Sequence, residues 1–280
     1  MKRILVPLDG SPSSELILER IEPMVRPGGQ IVLLRAVPLP VQDIHVNLSV
    51  AERVAVADRY VQSVVERLTA ASIDAKALAE FGNPAVSILR AAATEKVDLI
   101  AMCTSGRSEI ARLALGSVAE EVLRRADVPV WLARPEQATP RAIHAILVPL
   151  DGSPLSDEAV PVAAGLAKQF GARIDLIHVF KKRKHPNELA QPPRPLDHAT
   201  QLLRRDGFDV HPDFLEGDAA DGILAAAADH SADLIVMESH GRTGLSRLVL
   251  GSVAEGVVRR APVPVVVQRA RPVREGVLHA

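Results

Sequence analysis

A nine-residue segment occurs twice in this 280-residue chain: ILVPLDGSP runs from Ile4 to Pro12 and again from Ile146 to Pro154. A second shared segment follows each copy, because LGSVAE spans Leu115 to Glu120 and recurs from Leu250 to Glu255. The offsets are nearly constant, 142 positions from Asp9 to Asp151 and 135 from Gly116 to Gly251. Self-similarity at one long period means two copies of a single folding unit, so a site built by one copy has a counterpart in the other. Units of about 140 residues lie near the commonest domain size and can each bury a core. The expected division is residues 1–134, a linker at 135–143, residues 144–270 and a tail at 271–280. The linker is read from RPEQATPRAIH, the polar stretch with two prolines between Arg134 and His144.

Composition narrows the function classes. Apolar residues make up 48% and charged residues 24%, ordinary for a globular protein. The net charge of −1 gives no field to attract nucleic acid, and with five Phe, one Trp and one Tyr there is little for base stacking. No uninterrupted apolar run approaches the ~18 residues of a membrane span. The apolar run of MKRILVPLDG breaks at Pro7 and Asp9, unlike a signal peptide. A single cysteine, Cys103, excludes an intrachain disulfide framework, so the simplest expected location is the cytoplasm.

Each repeat alternates short apolar runs with longer amphipathic stretches, the pattern of a parallel sheet covered by helices. The first repeat predicts strands at Arg3–Leu8, Gln30–Val37, Ala75–Glu80, Asp98–Cys103 and Val128–Ala133. Helices are predicted after a Ser11 or Ser13 cap, over Val50–Ala71, over Pro84–Glu95 behind Asn83, and over Ser117–Ala126. The second repeat predicts strands near Ala145–Leu150, Arg173–Val179, His211–Glu216, Asp233–Glu238 and Val263–Gln268. Lys181 to Pro195, with its KKRKHP cluster, breaks the symmetry and reads as a solvated loop.

In a doubly wound parallel sheet, ligands settle at the carboxyl ends of strands where the strand order reverses. Three segments of each repeat converge there: the turn after strand one (Pro7–Ser11; Pro149–Ser153), the end of strand two (Val37; Val179), and the stretch after strand four. That last stretch reads TSGRSEIARLALGSVAE from Thr104 and SHGRTGLSRLVLGSVAE from Ser239. Glycine-rich turns let backbone N–H groups approach an anion, and a helix starting at Gly-Ser adds its positive end. Ser117 and Ser252 are expected to cap that helix and to offer a hydroxyl to phosphate. The reading as ordinary turns and caps stays open at this point.

ILVPLDGS on the first strand, SHGRTGLSRLVLGSVAE after the fourth and the following APVPVVV together make the chain resemble the universal stress protein family in its tandem two-domain form. The resemblance implies Rossmann-like units, each with a five-stranded parallel sheet in order 3-2-1-4-5 flanked by helices, that pair through their last strands. It further implies ATP binding through a pattern of Gly, two residues, Gly, nine residues, then Gly and Ser or Thr. By that match Asp9 and Asp151 hold the adenosine portion, with Pro7, Val37, Pro149 and Val179 around the adenine. Gly106, Arg107, Gly116, Ser117 and Val118 form the phosphate side of the first repeat, and Gly241, Arg242, Gly251, Ser252 and Val253 that of the second. The first glycine of the pattern is absent from both, its place taken by Cys103 and Glu238. Glu238 sets a carboxylate beside a polyanion, a repulsion of several kcal/mol at an effective dielectric of about 20. The second repeat in turn has Gly244 where the first has Glu109.

The expected function is a non-catalytic stress-response protein that binds ATP, with Mg²⁺, as a regulatory ligand. Binding is expected to change loop order and so alter association with a protein partner or a second copy of the chain. Two alternatives remain: an interaction or scaffold module with one or both pockets empty, and a weak ATP hydrolase. Against the hydrolase stand the missing G-x-x-x-x-G-K-S/T pattern and the lack of a second carboxylate at a telling spacing. The histidines show no zinc-binding spacing. Cys103, at an apolar strand end, is expected to be inert, His240 solvated, and His178 packed or bonded to backbone.

Overall fold

The computed structural model of the chain describes residues 1–25, 27–38, 48–104, 115–137, 142–181, 195–239 and 250–269. In the first repeat β1 (Arg3–Pro7), β2 (Gln30–Val37), β3 (Asp74–Phe81), β4 (Leu99–Cys103) and β5 (Val130–Ala133) alternate with α1 (Pro12–Ile21), α2 (Val50–Ala70), α3 (Pro84–Thr94) and α4 (Ser117–Arg125). The second repeat follows the same plan. Its strands are β6 (Ala145–Pro149), β7 (Arg173–Phe180), β8 (Val210–Glu216), β9 (Leu234–Glu238) and β10 (Val265–Gln268). Its helices are α5 (Ala159–Phe170), α6 (Asp197–Arg205), α7 (Ala219–Asp229) and α8 (Ser252–Arg260). The basic cluster from 182 onward lies outside the described residues.

All ten strands form one sheet in the order β3-β2-β1-β4-β5-β10-β9-β6-β7-β8. Each half keeps the order 3-2-1-4-5 with parallel pairing, and β5 joins β10 antiparallel, Trp131 lying opposite Val266. The central strands are continuous apolar runs because helices cover both faces. On one face α1, α2, α5 and α6 bury Ile17, Val61, Leu166 and Leu203; on the other α3, α4, α7 and α8 bury Ile88, Val122, Ile223 and Val257. Both cores run through the two repeats without a break.

Local chemistry explains the helix starts. Ser11 accepts from Ser14 N–H ahead of Pro12, Ser49 and Glu52 make a capping box, and Asn83 accepts from Val86 N–H. At the amino ends of the strands Asp98 accepts from the N–H groups of Lys2 and Arg3 at 2.6 and 3.0 Å. Asp233 does the same for His144 and Ala145 at 2.7 and 3.1 Å. One carboxylate therefore fixes the first strand against the fourth in each repeat.

The junction is tied by arginines. Arg134 donates to the carbonyls of Arg259 and Ala261, at 3.1 and 2.8 Å, closing the carboxyl end of α8. Its counterpart Arg269 donates to Arg125 O at 3.3 Å, at the end of α4. Each repeat thus caps the last helix of the other, where a cation also meets the negative end of the helix. Arg20, only 2% exposed, donates to the carbonyls of Arg134 at 2.8 Å, Pro135 at 3.1 Å and Gln137. Gln137 then reaches across to Ala261 O and Val263 O, at 2.9 and 2.8 Å. The start of the connecting segment is therefore held by buried hydrogen bonds. Truncating Arg20 to Ala strands three carbonyls, and urea unfolding should show a loss of about 3 kcal/mol; a loss below about 1 kcal/mol would remove Arg20 from this role.

Candidate functional site

The strand order reverses between β1 and β4 in the first repeat and between β6 and β9 in the second, and a cavity of about 350 Å³ opens at each place. The first is walled by Pro7, Asp9, Arg35, Met102, Gly116 and Ser117, among others. The second is walled by Pro149, Asp151, Val179, Met237, Glu238 and Ser252, among others. A wider groove of about 930 Å³ opens at the amino ends of β6 and β7, beside Arg173, Asp206 and Asp209. It lies away from the switch points, whereas the two smaller cavities occupy equivalent places in both repeats and are the candidate site.

The Asp-Gly-Ser turn is shaped by its own side chains. Asp9 Oδ1 accepts from Ser11 N–H at 2.9 Å and from Ser11 Oγ at 2.5 Å. Asp151 Oδ1 accepts from Ser153 N–H at 2.9 Å. Both carboxylates are thereby aimed by an Asx-type turn. The turn needs Gly10 and Gly152, whose φ values of +78° and +81° lie in the left-handed region. Across the cavity, Gly116 N–H donates to Thr104 O at 2.8 Å and Gly251 N–H to Ser239 O at 2.9 Å. A Cβ on Gly116 would come within 3.1 Å of that Thr104 oxygen, so a larger residue there would push the segment after β4 and the start of α4 apart by a few tenths of an ångström.

Two expectations require correction. Ser117 and Ser252 are not caps: the N-cap positions belong to Gly116 and Gly251, without a side-chain bond, and each serine is the first helical residue. The extended backbone of Gly116, φ −64° and ψ 146°, sets the boundary one residue earlier than serine preference suggests. Both serines line their cavities. Val37 is not part of the described lining, whereas Val179 is. Leu34 lies opposite Pro7 and Ile177 opposite Pro149, so Val179 corresponds to Ala36 and Val37 to Phe180. A slip of one residue along a strand moves the side chain to the other face, and Ala36 is the one that faces the first cavity.

Of the remaining described residues, Pro7, Asp9, Gly116, Ser117 and Val118 line the first cavity and Pro149, Asp151, Val179, Gly251, Ser252 and Val253 the second. Gly106, Arg107, Gly241, Arg242, Gly244, Glu109 and His240 lie outside the described residues. The sequence reading missed Arg35. Its guanidinium donates to Leu8 O at 3.2 Å and stands 3.6 Å from where a Cβ on Gly10 would project. The signal was present, since a cation interrupts the apolar run of β2. The corresponding His178 is buried and shares a hydrogen bond of 2.7 Å between Nδ1 and Leu150 O. Two different side chains thus serve equivalent carbonyls.

Cys103 ends β4 with its Sγ donating to Ser13 O at 3.0 Å. Burial pushes its thiol up to about 11, against the opposing pull of Arg20. The group is protonated at neutral pH and gains its thiolate only as pH rises through that value.

A doubly wound sheet with a ligand-sized cavity at each switch point defines a tandem Rossmann-like α/β protein. The sequence profile described as the universal stress protein family matches residues 1–134 and 142–269. The chain belongs to the universal stress protein family. A universal stress protein of Methanocaldococcus jannaschii is 36% identical over 137 residues, covering 44% of this chain and 79% of that protein. One from Mycobacterium tuberculosis is 32% identical over 188 residues, 63% of each chain, so the match spans less than two thirds of the mycobacterial relative. A crystal structure of a universal stress protein from Archaeoglobus fulgidus superposes with a TM-score of 0.77 at 28% identity, covering 96% of both chains.

Ellman's reagent at pH 8 should modify Cys103 about a hundredfold more slowly in the native protein than in urea, given a thiol near 11 instead of an ordinary 9.0. Equal rates would contradict this placement.

Proposed function

We propose that this universal stress protein binds adenine nucleotide, ATP with Mg²⁺, as a regulatory ligand and performs no chemistry on it. The observation that carries the reading is the duplicated cavity in which an Asp-Gly-Ser turn faces a helix amino terminus across an apolar floor. About 350 Å³ suits a small ligand. The turn presents a carboxylate able to accept from ribose hydroxyls. Opposite, the N–H groups and the positive end of α4 or α8 suit phosphate, with the Ser117 or Ser252 hydroxyl beside them. The spacing of Gly106, Gly116 and Ser117, repeated at Gly241, Gly251 and Ser252, supports the same ligand.

The non-catalytic part rests on the carboxylates. Asp9 and Asp151 are committed to shaping their turns through Ser11 and Ser153, a positioning role and not that of a base poised for proton transfer. Glu238 in the second cavity favours the rival reading for that repeat, an interaction module with an empty pocket.

Calorimetry of the full chain with Mg-ATP tests the proposal, and Asp9→Ala should weaken binding tenfold or more, about the contribution of a hydrogen bond to a charged group. Absence of any binding heat, or an unchanged affinity in that variant, would end it.

A further inference from the structure

We infer that the two cavities have separated by charge: the first accepts the phosphate chain of a nucleotide, whereas the second is lined by the buried Glu238 carboxylate, which also holds the Ser239 hydroxyl, so one nucleotide binds per chain. This inference rests on the nucleotide reading above and assigns it to one repeat.

Glu238 ends β9, is 5% exposed and lines the second cavity. Its Oε1 accepts from both Ser239 N–H and Ser239 Oγ, each at 2.9 Å. The Ser239 N–H also donates to Gln268 O at 2.8 Å within the sheet, so the donor that the carboxylate withholds from an incoming anion is the Ser239 hydroxyl. At the corresponding place in the first repeat the thiol of Cys103 is neutral and turned toward Ser13 O.

Other differences surround the two cavities. Arg35 lines the first cavity as a permanent cation, whereas its counterpart His178 is buried against Leu150 O and Phe214 and lies outside the described lining of the second. The described lining of the first cavity therefore carries one carboxylate and one guanidinium, that of the second two carboxylates. Beside the first cavity, Glu15 is bound by Arg67 and by Tyr60 Oη, the latter at 2.8 Å. The corresponding Asp157 is raised above the usual carboxylate range by burial and then by the nearby charge of Asp151, with His198 opposing. Asp157 thus holds its proton to a higher pH than a free carboxylate and adds less negative charge there than an ordinary carboxylate would. One added negative charge about 6 Å from a phosphate weakens binding about a hundredfold at an effective dielectric near 20.

Calorimetry and equilibrium dialysis of the full chain with Mg-ATP, run on four proteins, decide the matter. The wild type should bind one nucleotide per chain, Asp9→Ala should lose it, and Asp151→Ala should keep it. Glu238→Gly should add a second site, with Glu238→Gln as the shape-preserving variant that gains weaker second binding, both checked by thermal melting for intact folding. Two sites in the wild type would overturn the inference, as would a single site lost with Asp151→Ala, or failure of both folded Glu238 variants to gain a second. No binding in the wild type would overturn the nucleotide reading itself, an outcome separate from these.

Discussion

The antiparallel pairing of β5 with β10 is the constraint on which the rest depends. Without it each repeat would expose a short apolar edge, VWLA or VVVQ, with its row of unsatisfied N–H and C=O groups. Pairing satisfies both rows at once and lets the two faces of the sheet bury continuous cores. The reciprocal caps of Arg134 and Arg269 then tie each repeat's last strand to the other repeat's last helix. The outer edges are managed differently. β3 and β8 are largely solvent-facing, and β8 carries Pro212, which a central strand would not tolerate. Sheet growth is thus directed inward, and the two cavities are held in one rigid frame.

Duplication preserved what the frame needs and released what it does not. Apolar positions facing the helices stay apolar in both repeats, because a polar group there would lack partners. An exception is Asp175, which takes the place of Val32 in the first repeat and is 1% exposed. It is accepted only with Arg173 bonded to it at 3.2 Å and His230 3.9 Å away. At the cavity rims the exchanges are freer: Arg35 for His178, Cys103 for Glu238, Glu15 for Asp157. His178 and Glu238 are buried, but each has a hydrogen-bond partner, so the fold accepts the exchange while the charge at the pocket changes.

Strands and helices were legible in the sequence because local rules set them. The apolar runs gave each strand within two residues, and Ser11 and Asn83 mark helix starts through bonds to N–H groups three residues on. The duplicated Asp-Gly-Ser turn and Gly-Ser helix start located both cavities. What escaped the reading depends on contacts distant in sequence. Val37 was matched to Val179 by residue type, but register with β1 and β6 places Ala36 there instead. Nothing in the sequence sets Arg20 apart from its charged neighbours on α1, and only its burial against carbonyls 114 to 117 positions away reveals a clamp. Gly116, whose N–H donates to Thr104 O, takes the N-cap and leaves Ser117 as the first helical residue, a one-residue boundary that no spacing rule announces.

The central claim is that one scaffold carries two cavities of equal size and unequal charge. Crystals of the chain grown with Mg²⁺ and a non-hydrolysable ATP analogue test it most directly. The account predicts density for one nucleotide, lying between the Asp9 turn and the start of α4, with Glu238 still bonded to Ser239 in an unfilled second cavity. Nucleotide in both cavities, or in the second alone, would contradict it.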